Sequence, residues 1–245
     1  MKLESFDLDF PYIENEERIL TIVKQRSCSR DDAVRLDYQN NWKMKRRELS
    51  LQTRCISAFY ERLFGYIITT DCQKILIECV PEVLDESIKN FSGVYTVQVS
   101  FDCESFQNLT SIEKKKATLE ILITGIRKVA STLSLKISPF EDAYTKIVKA
   151  EYTNEWGWRK SAKSPNKKYT ASVLLNHDVD AIDISMIVTD NNMNQVYREK
   201  IVSELPDEYA YADHLGTIKW ISNSEVALVN SEKNKEWHVV IKPMT

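Results

Sequence analysis

The chain has 245 residues, of which 43% are hydrophobic and 28% are charged. This composition is typical of a globular rather than a disordered chain, and the length suffices for one large domain or two small ones. The 33 lysines and arginines against 36 aspartates and glutamates give a net charge of −3, which excludes both a generally basic nucleic-acid binder and a polyanionic protein. Only five glycines are present, which argues against the glycine-rich loops that hold phosphates in nucleotide enzymes.

The N-terminus and the cysteines predict a cytoplasmic protein. Glu4, Asp7 and Asp9 interrupt the stretch in which a secretory signal needs an apolar core. The longest apolar stretch, residues 119–126, is much shorter than the roughly 20 residues of a membrane span. The five cysteines are odd in number and scattered through the first half, unlike a secreted disulfide framework. We therefore expect a soluble protein of the cytoplasm without a membrane segment.

The first predicted elements are helices. An acid-rich start at residues 14–17 suits a helix N-terminus, and apolar residues follow it at helical spacing. A second helical stretch runs over residues 31–64, with a break near Asn40 and Asn41. Gly65 is the expected C-cap of this stretch, because glycine tolerates the backbone conformation that ends many helices.

A change to a two-residue period then predicts strands. Residues 66–70 and 74–80 are β-leaning, and the polar residues between them predict that the two strands form a hairpin. Pro81 ends the second strand. A short helix near residues 82–89 and a strand over residues 94–101 complete this part of the prediction.

Two further helices have the clearest signals. Thr110 and Glu113 form a capping box ahead of an apolar stripe at helical spacing over residues 119–133. Ser138 and Pro139 predict a second helix start, with the serine as cap and the proline in the first turn.

After about residue 154 the pattern contains short strands only. Six β-leaning runs are separated by segments rich in asparagine, aspartate and serine. They cover residues 169–175, 181–189, 195–203, 217–221, 226–230 and 237–242. The second run alternates apolar with mostly polar residues, which predicts one packed and one mostly wet face. The polar, basic segment 156–168 is interpreted as the boundary region.

These patterns together predict an α+β protein in two parts. Residues 1–155 are expected to form a mixed helix and strand region, of α/β or α+β type. Residues 156–245 are expected to form an antiparallel β-sheet module.

The sequence assigns no catalytic residue. It contains no dinucleotide fingerprint, P-loop, His-Glu-x-x-His or Cys-x-x-Cys motif. Cys28 and Cys103 lie in polar surroundings, but spacing assigns no base to either. Because catalytic triads assemble in space, a hydrolase-type site built from scattered His, Asp and Cys stays an alternative.

The sequence also assigns no metal and no cofactor. Asp178 and Asp180 would project to the same side of an extended segment, as paired oxygen ligands do. A polar hairpin turn explains the same residues, because aspartate and asparagine are turn formers. Residues 190–194 imitate the start of a calcium loop, but Gln195 and Ile201 stand where that loop needs a glycine and a glutamate.

Two basic stretches carry the features of single-stranded nucleic-acid binding. A basic run at residues 43–47 follows Trp42, and residues 158–169 hold five basic residues and no acid. Aromatic rings stack on bases while lysines neutralise phosphates. A solvated helix face and a flexible linker are the alternatives, and the net charge disfavours a nucleic-acid partner.

A long segment, residues 204–216, has the character of a recognition surface because it carries four acids and two tyrosines. Tyrosine is enriched at protein interfaces, so this segment suits docking on a basic partner. Packing of both tyrosines beneath the loop is the alternative. The predicted partner-binding residues are Asp178, Asp180, Asp183, Tyr209 and Tyr211.

Two segments resemble bacterial β modules. Ser164-Pro165-Asn166-Lys167-Lys168-Tyr169 is similar to a Ser-Pro-Asp-Gly-Lys-Tyr strand entry, although Asn-Lys replaces Asp-Gly, and residues 219–228 are similar to a closing segment of tryptophan, turn and strand. More broadly, the glycine-poor, acidic, motif-free chain resembles the immunity proteins that neutralise bacterial polymorphic toxins. The resemblance implies a cytosolic protein that caps one toxin domain, and it assigns no residue.

The sequence therefore predicts a non-enzymatic module that sequesters a protein partner. A toxin-neutralising immunity protein is the specific hypothesis, with a basic toxin domain as its partner. A hydrolase-type enzyme and a nucleic-acid-binding regulatory module are the alternatives. The partner's identity, the oligomeric state and the independence of the two parts are left open.

Overall fold

The computed structural model describes residues 1–241. Over that range the chain forms seven α-helices, one short 3-10 helix and thirteen strands in four sheets, which confirms the predicted α+β class. The chain divides into two compact units, unit 1 (Met1–Tyr152) and unit 2 (Thr153–Thr245). None of the helices in the described range combines the length and the apolar character needed to cross a membrane.

Unit 1 begins with two strands and three helices. These are β1 (Lys2–Leu3), β2 (Ser5–Asp9), α1 (Glu16–Arg26), α2 (Arg30–Asn41) and α3 (Lys43–Phe64). Asn15 caps α1 by accepting a hydrogen bond from the Arg18 backbone N–H, and Ser29 caps α2 in the same way. The expected break lies at Trp42, between α2 and α3, and Gly65 ends α3 with a positive φ of 71°.

The rest of unit 1 completes a central sheet and its covering helices. The elements are β3 (Ile67–Ile68), β4 (Lys74–Val80), β5 (Lys89–Phe91), β6 (Val94–Ser100), α4 (Cys103–Gln107), α5 (Ser111–Thr132) and α6 (Ser138–Lys149). The sheet has the order β2-β4-β6-β5, in which the first three strands are parallel and β5 is antiparallel. The predicted capping box of Thr110 and Glu113 starts α5.

Helices α3 and α5 pack against the sheet, and α6 packs against both of these helices. Alternate strand residues such as Phe6, Ile77 and Val97 are buried in this layer. Gly125 brings α5 close to β4, because a Cβ at this position would lie only 2.4 Å from Cγ1 of Ile77. Unit 1 is therefore an open, mostly parallel sheet with helices packed on it.

Three predictions in unit 1 are wrong. Ser138 does not cap α6, because it is the first helical residue, and the N-cap residue, Ile137, makes no side-chain capping hydrogen bond. The expected hairpin of residues 66–70 and 74–80 does not form, since β3 pairs with β1 and β4 runs parallel to β2 and β6. The expected helix at residues 82–89 is an irregular segment that leads into β5. Its backbone is held by a side chain instead, because Oε1 of Gln98 accepts the N–H groups of Leu84 and Asp85.

Unit 2 consists of two antiparallel sheets. Its elements are β7 (Glu155–Lys163), β8 (Tyr169–His177), β9 (Ile182–Asp190), β10 (Gln195–Glu204), α7 (Glu208–Tyr211), a 3-10 turn (Ala212–His214), β11 (Thr217–Trp220), β12 (Glu225–Val229) and β13 (Glu236–Val240). The sheet orders are β10-β9-β8-β7 and β11-β12-β13. Each of the six predicted runs contains a strand, although Lys242 of the last run lies outside the described residues.

The two sheets of unit 2 share one hydrophobic core. It is formed by Ala171, Val173, Leu175, Ile182, Ile184, Met186, Val188, Ile218, Val226, Leu228, Val239 and Ile241. β11 lies beside β7 and β13 lies beside β10, so the second sheet packs along both outer strands of the first.

Two predictions in unit 2 also need correction. Most of the segment 156–168, interpreted as the boundary region, belongs to the nine-residue strand β7, whose half-buried Trp156 and Trp158 pack against the core. The second face of β9 is not mostly wet, because Ser185 and Ile187 are buried as well. β9 is an inner strand, and an ion pair of 2.9 Å between Arg198 and Glu155 joins the two outer strands on this face.

Candidate functional site

Two acidic segments meet at one end of the four-stranded sheet in unit 2. The turn at residues 178–181 joins β8 to β9, and the first residue of β9, Ile182, pairs with Glu204, the last residue of β10. The turn and the segment that leaves β10 therefore lie at the same end of the sheet. Residues 178–183 and 201–216 contain seven acids and no lysine or arginine. We call these two segments the acidic end.

The β8–β9 turn presents two of the predicted contact residues. The backbone N–H of Asp178 donates to the carbonyl oxygen of Ala181 at 2.8 Å, and its carboxylate accepts the N–H of Val179 at 2.7 Å. Asp180 is exposed to solvent. The polar hairpin turn considered from the sequence is thus what these residues form, and no cluster of three or more potential metal ligands occurs anywhere in residues 1–241.

Asp183 is held by the neighbouring strand. Its carboxylate accepts a hydrogen bond from Oγ of Ser203 at 2.7 Å and lies 3.2 Å from the ammonium group of Lys200. These contacts fix the direction of the Asp183 side chain at the edge of the acidic end.

The short helix α7 carries the two predicted tyrosines in different environments. Asp207 caps the helix by accepting the backbone N–H of Tyr209 at 2.9 Å. The Tyr209 side chain is 92% exposed, whereas the Tyr211 ring packs edge-on against Trp156 with 6.5 Å between centroids. Tyr211 thus anchors the segment on the core, and Tyr209 projects into solvent.

A second anchor lies just after α7. Nε2 of His214 is 2.9 Å from Oε1 of Glu204, and the backbone of Asp213 accepts a hydrogen bond from Ser231. The His214 ring also meets Trp237 edge-on at 5.0 Å. The part of the segment that follows the exposed tyrosine is therefore held against the core of unit 2.

The structure adds a residue that sequence reasoning missed. Glu155 pairs in register with Asn176, which itself pairs with Asp183, so Glu155 belongs to the same end of the sheet. Its carboxylate binds Arg198. Only the antiparallel register reveals this position, because Glu155 precedes the other acids by more than 20 residues.

The opposite end of unit 2 carries positive charge. The β7–β8 turn holds Lys163, Lys167 and Lys168 within six residues, and the backbone N–H of Asn166 donates to Oδ1 of Asn223 in the β11–β12 turn. The second basic stretch is therefore an ordered hairpin. At the same end Asp190 accepts backbone N–H groups from its own turn, which accounts for the calcium-loop-like sequence.

The first basic stretch is partly used inside unit 1. Trp42 stacks on Phe10 with 4.4 Å between centroids, so one indole face is covered. Arg46 forms a bidentate ion pair with Asp9, at 2.6 and 2.7 Å.

Burial disfavours the thiolate form at three of the cysteines. All five are free, and Cys55, Cys72 and Cys79 are buried. Burial raises the pKa of Cys72 to about 11 and that of Cys103 to about 12, and it raises the pKa of Cys79 as well. Because the thiolate is the nucleophile, these shifts oppose nucleophilic catalysis at the three positions.

Two of the histidines, His177 and His238, lie in surroundings that the fold itself explains. His177 is buried at the end of β8. His238 lies between two carboxylates, with Nδ1 2.8 Å from Glu225 and Nε2 3.1 Å from Glu236. The hydrogen bond to Glu225 raises the pKa of His238 above its ordinary value.

Comparison of the chain with models of protein families, with curated proteins and with solved structures finds no match. The assignment of a function therefore depends on the geometry of the chain itself.

Proposed function

We propose that the protein binds a basic protein partner at the acidic end of unit 2 and sequesters it without catalysing a reaction. The observation that carries the proposal is that two segments with seven acids and no lysine or arginine lie at the same end of the sheet, and one of them carries the almost fully exposed Tyr209. Asp178, Asp180 and Asp183 supply charge in this interface, and Tyr209 supplies its aromatic contact.

The physical chemistry of association supports this assignment. A surface with an excess of one charge attracts an oppositely charged partner and accelerates the encounter, with a strong dependence on salt. A tyrosine on an anchored helical turn loses little conformational entropy on binding, and such side chains dominate many interfaces. Tyr211 contributes by holding this turn on the core.

A toxin domain with a basic surface is the specific partner in this proposal, and the cytoplasm is the compartment. The five free thiols fit a reducing compartment, because disulfides persist mainly in oxidising ones. Capping a toxin requires complementary charge and shape, and it needs no catalytic group on the binding protein.

The test is a comparison of captured partners at moderate salt. Tagged full-length protein, the variant Asp178→Lys/Asp180→Lys/Asp183→Lys and the control Asp31→Lys/Asp142→Lys/Glu151→Lys are exposed to native cytosol treated with nuclease. The control makes the same charge change at exposed positions of unit 1. We expect one stoichiometric basic protein with the wild type and the control, and its loss from the acidic-end variant.

Substitutions that introduce no new charge show whether capture is lost through lost attraction or through new repulsion and misfolding. Asp178→Asn/Asp180→Asn/Asp183→Asn is expected to weaken capture without introducing new repulsion, and Tyr209→Ala is expected to weaken it at unchanged charge. Circular dichroism must show an intact fold for each variant. Equal capture by all acidic-end variants contradicts the proposal, and a partner lost on nuclease treatment would favour a nucleic-acid-binding module instead.

A further inference from the structure

Unit 1 contains a cleft at the carboxyl ends of its parallel strands. Its volume is about 630 Å³, and Phe10, Pro81 and Phe101 line it where β2, β4 and β6 have just ended. Ligands of open α/β sheets characteristically bind outside the carboxyl ends of the strands. The volume suits a small organic molecule.

The inner walls of the cleft are apolar and fixed. Phe10, Leu49 and Phe101 are buried. Trp42 stacks on Phe10, and its Nε1–H donates to the Phe10 carbonyl oxygen at 3.1 Å. The indole is therefore locked in place, and it also borders a smaller neighbouring cavity of about 360 Å³.

The rim of the cleft has an excess of negative charge. Lys45, Glu48, Asp102 and Glu104 line it, three carboxylates against one ammonium group. The Asp102 carboxylate is occupied, since it accepts the backbone N–H groups of Glu104 and Ser105. Glu48 and Glu104 are exposed, and neither forms an ion pair with another residue in the part of the chain that the structure describes.

Cys103 also lines the cleft, but it adds neither charge nor a nucleophile. Burial and the nearby Asp102 raise the pKa of its thiol to about 12, so the group stays neutral at physiological pH. The chemistry of the cleft is therefore that of binding, with aromatic walls and two carboxylates available to a ligand.

We propose that this cleft binds a small organic cation, in which an ammonium or guanidinium group is joined to an apolar ring or chain. The apolar part packs against Trp42, Leu49 and Phe101, and the cationic group lies at Glu48 and Glu104. Aromatic faces and carboxylates both favour cations over anions. The cleft lies in unit 1, so this inference does not depend on the protein-binding role proposed for unit 2.

Calorimetric titration of the full chain with phenethylammonium and with 3-phenylpropionate tests the proposal. The two probes share a phenyl ring and a short chain but carry opposite charges. We expect saturable binding of phenethylammonium, about ten-fold tighter than that of 3-phenylpropionate. The two carboxylates attract the ammonium group of the first probe and repel the carboxylate of the second. Equal affinities, or no saturable binding of phenethylammonium, would overturn the proposal.

Two variants locate the binding in the cleft. Glu48→Gln/Glu104→Gln is expected to weaken phenethylammonium binding about ten-fold, whereas the control Asp31→Asn/Asp142→Asn makes the same charge change elsewhere in unit 1 and is expected to have no effect. Ser100→Trp places an indole in the cleft and is expected to abolish binding. Unchanged binding to folded Glu48→Gln/Glu104→Gln or folded Ser100→Trp protein places the cation elsewhere and overturns the assignment.

Discussion

The two units use their carboxylates in different ways. Unit 1 carries 23 acids and 22 bases, and many of the acids are built into the fold. Asp37 is fully buried, and Asp9 is held by a bidentate arginine. Unit 2 carries 13 acids against 11 bases, and seven of those acids lie in the two segments of the acidic end. The same aspartate-to-neutral substitution should therefore reduce stability in unit 1 and binding in unit 2.

Asp37 shows most clearly how unit 1 uses a carboxylate. Its oxygens accept hydrogen bonds from the Tyr12 hydroxyl at 2.6 Å, from Nε of Arg18 at 2.8 Å and from Nδ2 of Asn41 at 2.8 Å. The contacts tie the segment before α1 and the start of α1 to the end of α2. A buried carboxylate surrounded by donors in this way is a structural tie.

The largest expected effect follows from removing that tie. Asp37→Ala leaves the side chains of Tyr12, Arg18 and Asn41 without their acceptor, so we expect the free energy of unfolding to fall by about 3 kcal/mol. Urea unfolding followed by circular dichroism measures the change. Asp180→Ala, at an exposed position of unit 2, should change stability by less than about 0.5 kcal/mol. Comparable losses of unfolding free energy for the two variants would contradict the different use of carboxylates in the two units.

The pH dependence of stability sharpens the same comparison. The hydrogen bond with Arg18 lowers the pKa of Asp37 from 3.8 to about 2. A lowered pKa means that this carboxylate stabilises the fold fully above pH 3.8 and that the contribution is lost as the pH falls towards 2. Asp37→Ala should therefore weaken the dependence of unfolding free energy on pH in this window. An identical acid profile in the variant would contradict the assignment.

Two glycines test how tightly each unit packs. A Cβ at Gly216 would lie 2.3 Å from the backbone oxygen of Asn230, whereas a Cβ at Gly125 would meet the Ile77 side chain. Backbone cannot move aside as a side chain can, so Gly216→Ala should cost about 2 kcal/mol. Gly125→Ala should cost less, because alanine also favours the helix by about 1 kcal/mol. Thermal unfolding of both variants measures the two losses of stability. A larger loss for Gly125→Ala than for Gly216→Ala would contradict this prediction.

The smallest expected effect concerns His238 in unit 2. Its pKa is raised by Glu225 and Glu236, so the stabilisation is fully present below the ordinary value of 6.5 and is lost as the pH rises through the raised value. His238→Gln should remove a shallow decline in melting temperature above that pH. If the melting temperature of the variant declines in the same way, a group other than His238 causes the decline.

The local signals in the sequence predict much of the fold. The capping box at Thr110 and the glycine after α3 are signals formed by residues close together in the sequence. The start of α5 and the end of α3 lie where these signals predict them. The hairpin predicted at residues 66–80 does not form, because β4 pairs in parallel with β2 and β6 instead. Neither partner is next to β4 in the sequence, so local patterns cannot reveal this pairing. β7 escapes detection because only Trp156, Trp158 and Ala162 mark its packed face among basic and polar residues.

The candidate site was predicted in composition but not in geometry. Its acids and tyrosines stand out in the sequence, yet only the register of β8, β9 and β10 brings the turn and α7 to one end. The different exposures of Tyr209 and Tyr211 also depend on tertiary contacts, since Trp156 lies more than 50 residues away from Tyr211. The cleft in unit 1 has no sequence signature, because its walls come from four separate segments.

The association rate of the captured partner tests the central proposal most directly. The rate is measured in stopped flow with the wild type, with Asp178→Asn/Asp180→Asn/Asp183→Asn and with the control Asp31→Asn/Asp142→Asn, over a series of salt concentrations. We predict that the acidic-end variant associates about ten-fold more slowly at low salt and that its rate depends less on salt, while the control behaves as the wild type. Association of the acidic-end variant at the wild-type rate and salt dependence would show that the partner binds elsewhere.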